Sequence, residues 1–261
     1  EASLTHHKLI VLSADRPPEL IGCGANQAIP QQGIFADYPI TSINLPKPAE
    51  HYSASWLVAT IEQACVTQSQ QGGVVHINAP FAEPLYEADE NAIATHPWLK
   101  PVQSWLINSQ TKWINSQTIQ SEVSMHENWD YWRTKRGVIV VGKLPVEQGI
   151  GIKAWAETLG WCLITDVQSC VDANLPYADI WLSNNTVHQR LLQADIVIQF
   201  GGQIVSKRVN KFLEAFKGEF WQVYEYKDYL NPFAHHQTRF VAKAHHFLRV
   251  HPPFRQKQWL L

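Results

Sequence analysis

The chain has 261 residues, of which 45% are hydrophobic and 17% are charged, and its formal net charge at pH 7 is −2. At about 100–200 residues per domain, this length predicts one complete domain and part of another. The near-neutral charge, without a run of Lys and Arg, argues against a nucleic-acid partner, and no apolar run approaches the roughly 20 residues of a membrane-spanning helix.

The first predicted strand is followed by a rigid polar turn. The run Leu9-Ile10-Val11-Leu12 is continuous and apolar, as is typical of a parallel strand covered on both faces. Asp15 and Arg16 follow its carboxyl end, where open α/β sheets bind ligands, and Pro17-Pro18 restricts the backbone after them. The Arg16 guanidinium is suited to bidentate pairing with a carboxylate. The alternative is a turn in which Asp15 and Arg16 neutralise each other and cap the next helix.

The next elements predict a βαβ unit with parallel strands. A strand at Ser42-Ile43-Asn44-Leu45 precedes a helix that Ser53 or Ser55 caps and that Gly72-Gly73 ends, and Val74-Val75-His76-Ile77 forms the next strand. The helix has an apolar stripe that we expect to be buried, made of Trp56, Leu57, Thr60, Ile61, Ala64 and Cys65. Asn26 is expected to be structural, satisfying free N–H groups at a helix start.

Residues 87–128 differ in character, because they are rich in Gln, Ser, Asn and Thr and their apolar residues come singly. We interpret this stretch as a linker. Trp98, Trp105 and Trp113 recur at spacings of seven and eight residues. This spacing is consistent with a helix across a domain seam, and a loosely ordered surface connector is the equally weighted alternative.

From residue 129 to 251 strands and helices alternate, which predicts a doubly wound domain with a five- or six-stranded parallel sheet. The predicted strands are Gly137–Val141, Cys162–Thr165, Ile196–Phe200 and Phe220–Tyr224, with short edge strands at Asp179-Ile180-Trp181-Leu182 and Arg239-Phe240-Val241-Ala242. The predicted helices are Val146–Leu159, Val187–Gln193 and Lys207–Phe216. Neither a Gly-x-Gly-x-x-Gly motif nor a phosphate-binding loop motif occurs, so the fold alone indicates little about function.

The spacing of the cysteines and histidines predicts neither a metal site nor a set of disulfides. The four cysteines lack Cys-x-x-Cys spacing and are expected to be reduced thiols in a cytoplasmic protein, with Cys65 and Cys162 buried by packing. Adjacent histidines in a helix or strand point in different directions, so we predict no metal site from the three pairs. These pairs are His6-His7, His235-His236, which is expected in a loop after Asn231-Pro232, and His245-His246.

The segment Ala14–Gln27, with Gly33-Ile34-Phe35-Ala36 after it, resembles the MenD family of thiamine-diphosphate enzymes, the 2-succinyl-5-enolpyruvyl-6-hydroxy-3-cyclohexene-1-carboxylate synthases of menaquinone synthesis. Residues 76–86, 132–142 and 155–161 continue the resemblance, although Ala79 stands where another small residue is expected. It implies an α/β fold: the C-terminal part of a pyrimidine-binding domain (1–86), a linker (87–128), a complete doubly wound parallel-sheet middle domain (129–251), and the start of a linker to a diphosphate-binding domain (252–261).

The same resemblance implies an activity and its residues. Family members use thiamine diphosphate and Mg2+ (or manganese) to decarboxylate 2-oxoglutarate and add the product to isochorismate, releasing carbon dioxide. Arg16 would clamp a substrate carboxylate, and Gln27 would be the catalytic hydrogen-bond partner of the covalent intermediate. Lys207 and Arg208, which follow Ser206 in a matching motif, would contact the carboxylates of isochorismate, although Gln203-Ile204-Val205 departs from the small or hydroxyl residues expected before it. A solvated helix face is the alternative for this pair.

The family's activating glutamate and Gly-Asp-Gly motif do not occur in this sequence. We therefore expect a fragment that is inactive alone and lacks the main cofactor-binding residues, from a cytoplasmic enzyme that is a homodimer or homotetramer when complete. Two alternatives remain open at this point. One is a non-catalytic module that binds a small anion, and the other is a different thiamine-diphosphate 2-oxo-acid decarboxylase.

Overall fold

A computed structural model of the chain describes residues 1–83, 95–107, 114, 123–174, 176–228 and 230–259. The chain divides into two compact units, Glu1–Ile119 and Gln120–Leu261. Each has its own parallel sheet. In the parts of the chain that are described, no helix has both the length and the apolar character to cross a membrane.

The first unit contains a three-stranded parallel sheet in the order β1-β3-β2. Its elements are β1 (Leu9–Asp15), β2 (Pro39–Asn44), α1 (Ala54–Gln71), β3 (Val74–Pro80) and α2 (Lys100–Ile107). The predicted βαβ unit is confirmed, since α1 connects two parallel strands of one sheet. α2 includes Trp105 and follows a short 3-10 turn that contains Trp98, whereas Trp113 lies outside the described residues.

Both predicted ends of α1 are confirmed. The Ser53 hydroxyl oxygen accepts a hydrogen bond from the Trp56 N–H at 3.2 Å, so Ser53 is the cap. At the other end Gly72 has φ +67°, and a Cβ there would lie 2.6 Å from the His6 carbonyl oxygen. Because a side chain fits neither this backbone conformation nor this space, glycine is required where the helix ends.

Three predictions for the first unit are wrong. β1 is not covered on both faces: α1 packs on β2 and β3, and the β1 side chains Leu9, Ile10 and Leu12 are exposed. The buried face of α1 is also rotated from the predicted stripe, so Ala54, Val58, Glu62, Ala64 and Gln68 are buried while Trp56 and Cys65 are exposed. Finally, Asn26 lies in a turn rather than at a helix start, since the helical structure between β1 and β2 is one 3-10 turn, Pro18–Leu20.

The second unit contains a five-stranded parallel sheet in the order β5-β4-β6-β7-β8. Its strands are β4 (Gly137–Val141), β5 (Cys162–Thr165), β6 (Ile196–Phe200), β7 (Glu219–Tyr224) and β8 (Gln237–Val241). Its helices are α3 (Trp129–Trp132), α4 (Val146–Gly149), α5 (Ile152–Leu159), α6 (Ala178–Trp181), α7 (Asn185–Leu191), α8 (Lys207–Ala215) and α9 (Ala244–Val250). The predicted doubly wound parallel sheet is confirmed.

Successive side chains of β4 point to opposite faces of this sheet, and helices pack on each face. Ile139 and Val141 belong to a core in which Trp129 and Trp155 stack with ring centroids 5.4 Å apart. Val138 and Val140 belong to the opposite core, with residues of α6, α7 and α8. Cys162 is buried in that second core, as predicted, and burial raises the pKa of its thiol to about 12. The sheet is therefore a central layer between two helical layers.

Two predictions for the second unit, one of a helix and one of a strand, are wrong. The single helix predicted from Val146 to Leu159 is interrupted, because Gly151 has φ +89° and separates α4 from α5. The predicted edge strand at Asp179–Leu182 is helical and forms most of α6. Ala178 and Leu182 are both buried four residues apart, whereas Ile180 between them is exposed, which is helical rather than strand periodicity.

His251 makes the stability of the second unit depend on pH. Its ring is fully buried, stacks on Phe247 at 3.9 Å, and accepts at Nε2 from the His126 N–H at 3.0 Å. Burial lowers the pKa of His251 from 6.5 to about 4. At pH values between about 4 and 6.5, His251 is therefore protonated in the unfolded chain and neutral in the folded chain. The free energy of unfolding is therefore expected to fall by about 3 kcal/mol as the pH drops from 6.5 to 4.

Urea unfolding followed by tryptophan fluorescence at several pH values measures this loss. His251→Gln keeps a polar side chain that does not titrate, so its unfolding free energy is expected to depend less steeply on pH in this window. An equal pH slope in both proteins would contradict the assignment to His251.

Candidate functional site

The carboxyl edge of the first sheet carries a connected set of polar side chains. Ser13 on β1 and Asn44 on β2 both lie in register with Asn78 on the central strand β3. The Asn78 amide donates to Asn44 Oδ1 at 2.8 Å and accepts from Ser13 Oγ at 3.2 Å. Three neighbouring strands therefore present linked amide and hydroxyl groups at the edge where parallel sheets bind ligands.

Arg16 follows β1 at this edge and is mostly buried, with 25% of its side chain exposed. Both terminal nitrogens of its guanidinium lie 3.4 Å from Glu83 Oε1, and its Nε is buried without a hydrogen-bond partner. The Asp15 carboxylate accepts from the Arg16 backbone N–H at 2.8 Å and not from its guanidinium. Mutual neutralisation of Asp15 and Arg16 is therefore not the arrangement here. The guanidinium contacts a carboxylate from another part of the unit.

Gln27 lies in the same loop as Arg16, which runs from residue 16 to 38. It is exposed and adopts φ +56°, a left-handed conformation that costs a non-glycine residue energy. Among the described residues, its side chain has no hydrogen-bond partner. Gln27 thus has a free amide group on a loop that follows the carboxyl end of β1.

Lys207 and Arg208 begin α8, after the loop that follows β6. Both side chains are exposed, and within the described ranges neither forms an ion pair. Ser206 caps the helix by accepting from the Val209 N–H at 3.1 Å, and its hydroxyl donates to Asp179 at 2.7 Å. Two cations at the positive end of a helix dipole are unfavourable for the free protein. The structure therefore shows an exposed cationic pair at a helix start, and an anion-binding role and a solvated helix face both remain compatible with this position.

The loop before these cations is held by a buried carboxylate. Asp166, only 6% exposed, accepts at Oδ2 from the backbone N–H groups of Val205 at 2.8 Å and Ser206 at 3.1 Å. Its Oδ1 accepts from the Gln168 N–H at 3.1 Å. The residues Gln203-Ile204-Val205, which depart from the family pattern, therefore precede Lys207 in a loop with fixed backbone contacts.

Two glycines allow this loop to approach its neighbour after β4. Gly201 has φ +77°, and a Cβ there would lie 2.5 Å from the Lys143 carbonyl oxygen. A Cβ on Gly142 would lie 2.4 Å from the Gly202 carbonyl oxygen. A pocket of about 660 Å³ adjoins the loop and is lined by Gln199, Asn210, Asn231 and His235, among others. The carboxyl edge of the second sheet thus has a closely packed loop beside an open pocket.

His235 lies in a loop, as predicted, and its backbone N–H donates to Asn231 Oδ1 at 2.8 Å. The His235 ring stacks on Phe220 with centroids 4.7 Å apart, and burial lowers its pKa. In the described ranges, no group of three or more His, Cys, Asp or Glu side chains could hold a metal ion.

Each unit thus carries two of the four predicted site residues: Arg16 and Gln27 lie in the loop after β1, and Lys207 and Arg208 lie at the start of α8. The sequence interpretation missed the residues that hold these loops. Asn44 ends β2 and Asn78 lies two residues before the end of β3, and a polar residue late in an apolar strand is a detectable signal. Asp166 also directly follows a strand, β5.

These features, a doubly wound parallel sheet with polar loops after its strands, define a class of α/β domains that commonly bind ligands at the carboxyl ends of the strands. Residues 96–261 match the family model described as "Middle domain of thiamine pyrophosphate". Thiamine pyrophosphate is another name for thiamine diphosphate. Because the match covers more than half of the sequence, the chain belongs to this family of thiamine-diphosphate enzymes.

The chain is also similar over its whole length to individual curated proteins, which are named 2-succinyl-5-enolpyruvyl-6-hydroxy-3-cyclohexene-1-carboxylate synthase. The chain is 95% identical to the protein of Actinobacillus pleuropneumoniae serotype 7 (strain AP76) over 261 residues. It is 82% identical to that of Haemophilus ducreyi and 63% identical to that of Pasteurella multocida. Each match covers 100% of this chain and 46% of the relative. The resemblance to the synthase family is confirmed, and the chain spans about half the length of these relatives.

Proposed function

We propose that this chain is part of a transferase of menaquinone biosynthesis that decarboxylates 2-oxoglutarate and adds the resulting four-carbon unit to isochorismate. The names of relatives up to 95% identical support this reaction. The observation that carries the proposal is the contact of Arg16 with the Glu83 carboxylate at 3.4 Å. Since Glu83 is 71% exposed, a substrate carboxylate could replace it on a guanidinium that is already largely buried.

The residues of this chain fit the handling of acidic substrates. Arg16 would bind and orient one carboxylate. Lys207 and Arg208 would bind the carboxylates of isochorismate, and the exposed amide of Gln27 would donate a hydrogen bond at the reacting atoms. Holding both acids in a reactive orientation is the protein's main contribution in cofactor enzymes.

Thiamine diphosphate, when bound, supplies the carbon nucleophile and the electron sink that decarboxylation requires. Its diphosphate is expected to bind with Mg2+. The described residues include no acidic or histidine cluster for that metal. We therefore assign the metal site to a part of the complete enzyme outside these residues, and this chain to the substrates.

The proposed domain organisation is that of the sequence prediction: pyrimidine-binding domain at 1–86, linker at 87–128, middle domain at 129–251, and the next linker from 252. We also propose a homodimer or homotetramer working in the cytoplasm. The four cysteines, all free thiols, support a reducing compartment.

Assaying the complete protein with thiamine diphosphate, Mg2+ and 2-oxoglutarate, with and without isochorismate, tests the proposed reaction. We expect carbon dioxide and the ring adduct when both substrates are present. Carbon dioxide without the adduct would indicate a different 2-oxo-acid decarboxylase. Binding of small anions without turnover would indicate a non-catalytic module.

Arg16→Ala in the complete protein is expected to weaken the use of an acidic substrate by about 1–3 kcal/mol, the worth of a hydrogen bond to a charged group. The measurement is kcat/KM for 2-oxoglutarate and for isochorismate. Lys47→Ala is the matched control, because Lys47 is a cation of the same unit whose pair with Glu19 is exposed. Unchanged kcat/KM values for both substrates in Arg16→Ala would refute the clamp.

A further inference from the structure

The Asn78 side chain has every hydrogen-bonding position occupied. Its Nδ2 donates to Asp15 Oδ2 at 2.8 Å and to Asn44 Oδ1 at 2.8 Å. Its Oδ1 accepts from Gln31 Nε2 at 2.8 Å and from Ser13 Oγ at 3.2 Å. A primary amide has two donor hydrogens and two acceptor lone pairs, so none is left for a ligand. With 2% of the residue exposed, Asn78 is also shielded from water.

Two of these bonds connect Asn78 to the loop from residue 16 to 38. Asp15, which accepts from Asn78 through one oxygen, accepts from the Arg16 N–H through the other at 2.8 Å. Gln31, which donates to Asn78, also donates to the Ala14 carbonyl oxygen at 2.9 Å. The loop is thus attached to one amide both at its start and four residues after Gln27.

The loop has further contacts in the exposed Glu19–Lys47 ion pair and in the Phe35 ring, which packs edge-on against His76. Most of its residues are exposed, and Gly22, Gly24 and Gly33 have positive φ angles with open space around them. A loop with little buried apolar surface depends on its polar anchors for a single conformation. Asn78 is the point where the anchors on the Arg16 side and on the Gln31 side of Gln27 meet.

We propose that Asn78 is a positioning residue that sets the placement of Arg16 and Gln27 through Asp15 and Gln31. This inference rests on the proposed role of Arg16 and deepens it. Asn78 itself binds no substrate, because all of its hydrogen-bond donors and acceptors are already paired with other side chains of the protein. Its function is to keep the guanidinium fixed where a substrate carboxylate arrives, which preorganises the site.

Asn78→Asp in the complete protein tests this proposal. The variant keeps the shape of the side chain but loses both donor hydrogens and brings a second carboxylate against Asp15. We expect kcat/KM for the substrate that Arg16 binds to fall about tenfold or more. Gln68→Glu is the matched control: Gln68 is an equally buried amide that donates to the Leu9 and Gly73 carbonyls at the other end of the same sheet.

A double-mutant cycle with Arg16→Ala separates positioning from a general loss of structure. If Asn78 acts partly through Arg16, adding Asn78→Asp to Arg16→Ala reduces kcat/KM by a clearly smaller factor than Asn78→Asp does in the wild type. Full multiplication of the two losses, or an Asn78→Asp loss no larger than that of Gln68→Glu, would overturn the positioning role and leave the proposed function intact. No effect of Arg16→Ala itself would overturn the positioning role together with the clamp, while the proposed reaction stands or falls with the assay of both substrates.

A second pair of variants covers the case in which Asn78→Asp does not fold. Gln31→Ala removes only the loop's side of the network, and Gln32→Ala alters the adjacent exposed glutamine. We expect Gln31→Ala to lower kcat/KM for the same substrate severalfold at unchanged thermal stability, and Gln32→Ala to match the wild type. Equal activity of these two variants would overturn the proposal.

Discussion

Replacing Lys207 and Arg208 together by Ala in the complete protein is expected to reduce kcat/KM for isochorismate about 100-fold or more, because two hydrogen bonds to charged groups are lost. Carbon dioxide release from 2-oxoglutarate alone is expected to fall much less. Both side chains are exposed on the first turn of α8, so folding does not depend on burying them. The measurement is the pair of specificity constants, one for each substrate.

The matched control is Lys211→Ala, which removes an exposed cation from the same helix one turn farther on. We expect this variant to retain isochorismate use, because the charge is needed at the helix start and not merely somewhere on α8. Equal losses for both substrates in the double variant would indicate a structural role instead. If Lys211→Ala lowered kcat/KM for isochorismate as much as the double variant does, the positive charge of α8 as a whole would explain the effect, and a specific contact by Lys207 and Arg208 would be refuted.

Much of the second unit could be predicted because its strands are short, continuous apolar runs buried on both faces. Gly137–Val141 and Ile196–Phe200 have the predicted bounds for this reason. The prediction failed at Asp179–Leu182, where four consecutive residues fit a strand as well as a helix. Only the burial of Ala178 together with Leu182 decides between the two. A run of this length carries too little periodicity to do so.

The candidate site was predictable only in part, for a different physical reason. Arg16 stands out locally because it directly follows an apolar strand, and Lys207 because it begins the helix after another such strand. The network around Asn78 does not, because it needs the register that places Ser13 and Asn44 beside Asn78. Register depends on pairing between distant segments, and a one-residue shift would turn these side chains to the other face.

The largest effect on stability in the second unit is expected from Asp166→Ala. The change removes a buried carboxylate and leaves the backbone N–H groups of Val205 and Ser206 without their acceptor, at the partly exposed turn that leads to Lys207. Each hydrogen bond to a charged acceptor contributes about 1.5–3 kcal/mol, so with two of them lost we expect the free energy of unfolding to fall by about 4 kcal/mol. Chemical denaturation followed by tryptophan fluorescence measures this change.

Asp172→Ala is the control, since Asp172 is an exposed carboxylate on the same connection after β5. Its loss is expected to leave stability within about 0.5 kcal/mol of the wild type, as is usual for surface changes. If Asp166→Ala were equally mild, the loop before α8 would hold its shape without the carboxylate. If it is strongly destabilising, the cations at the start of α8 depend on a buried acceptor that binds no substrate, as Arg16 is proposed to depend on Asn78.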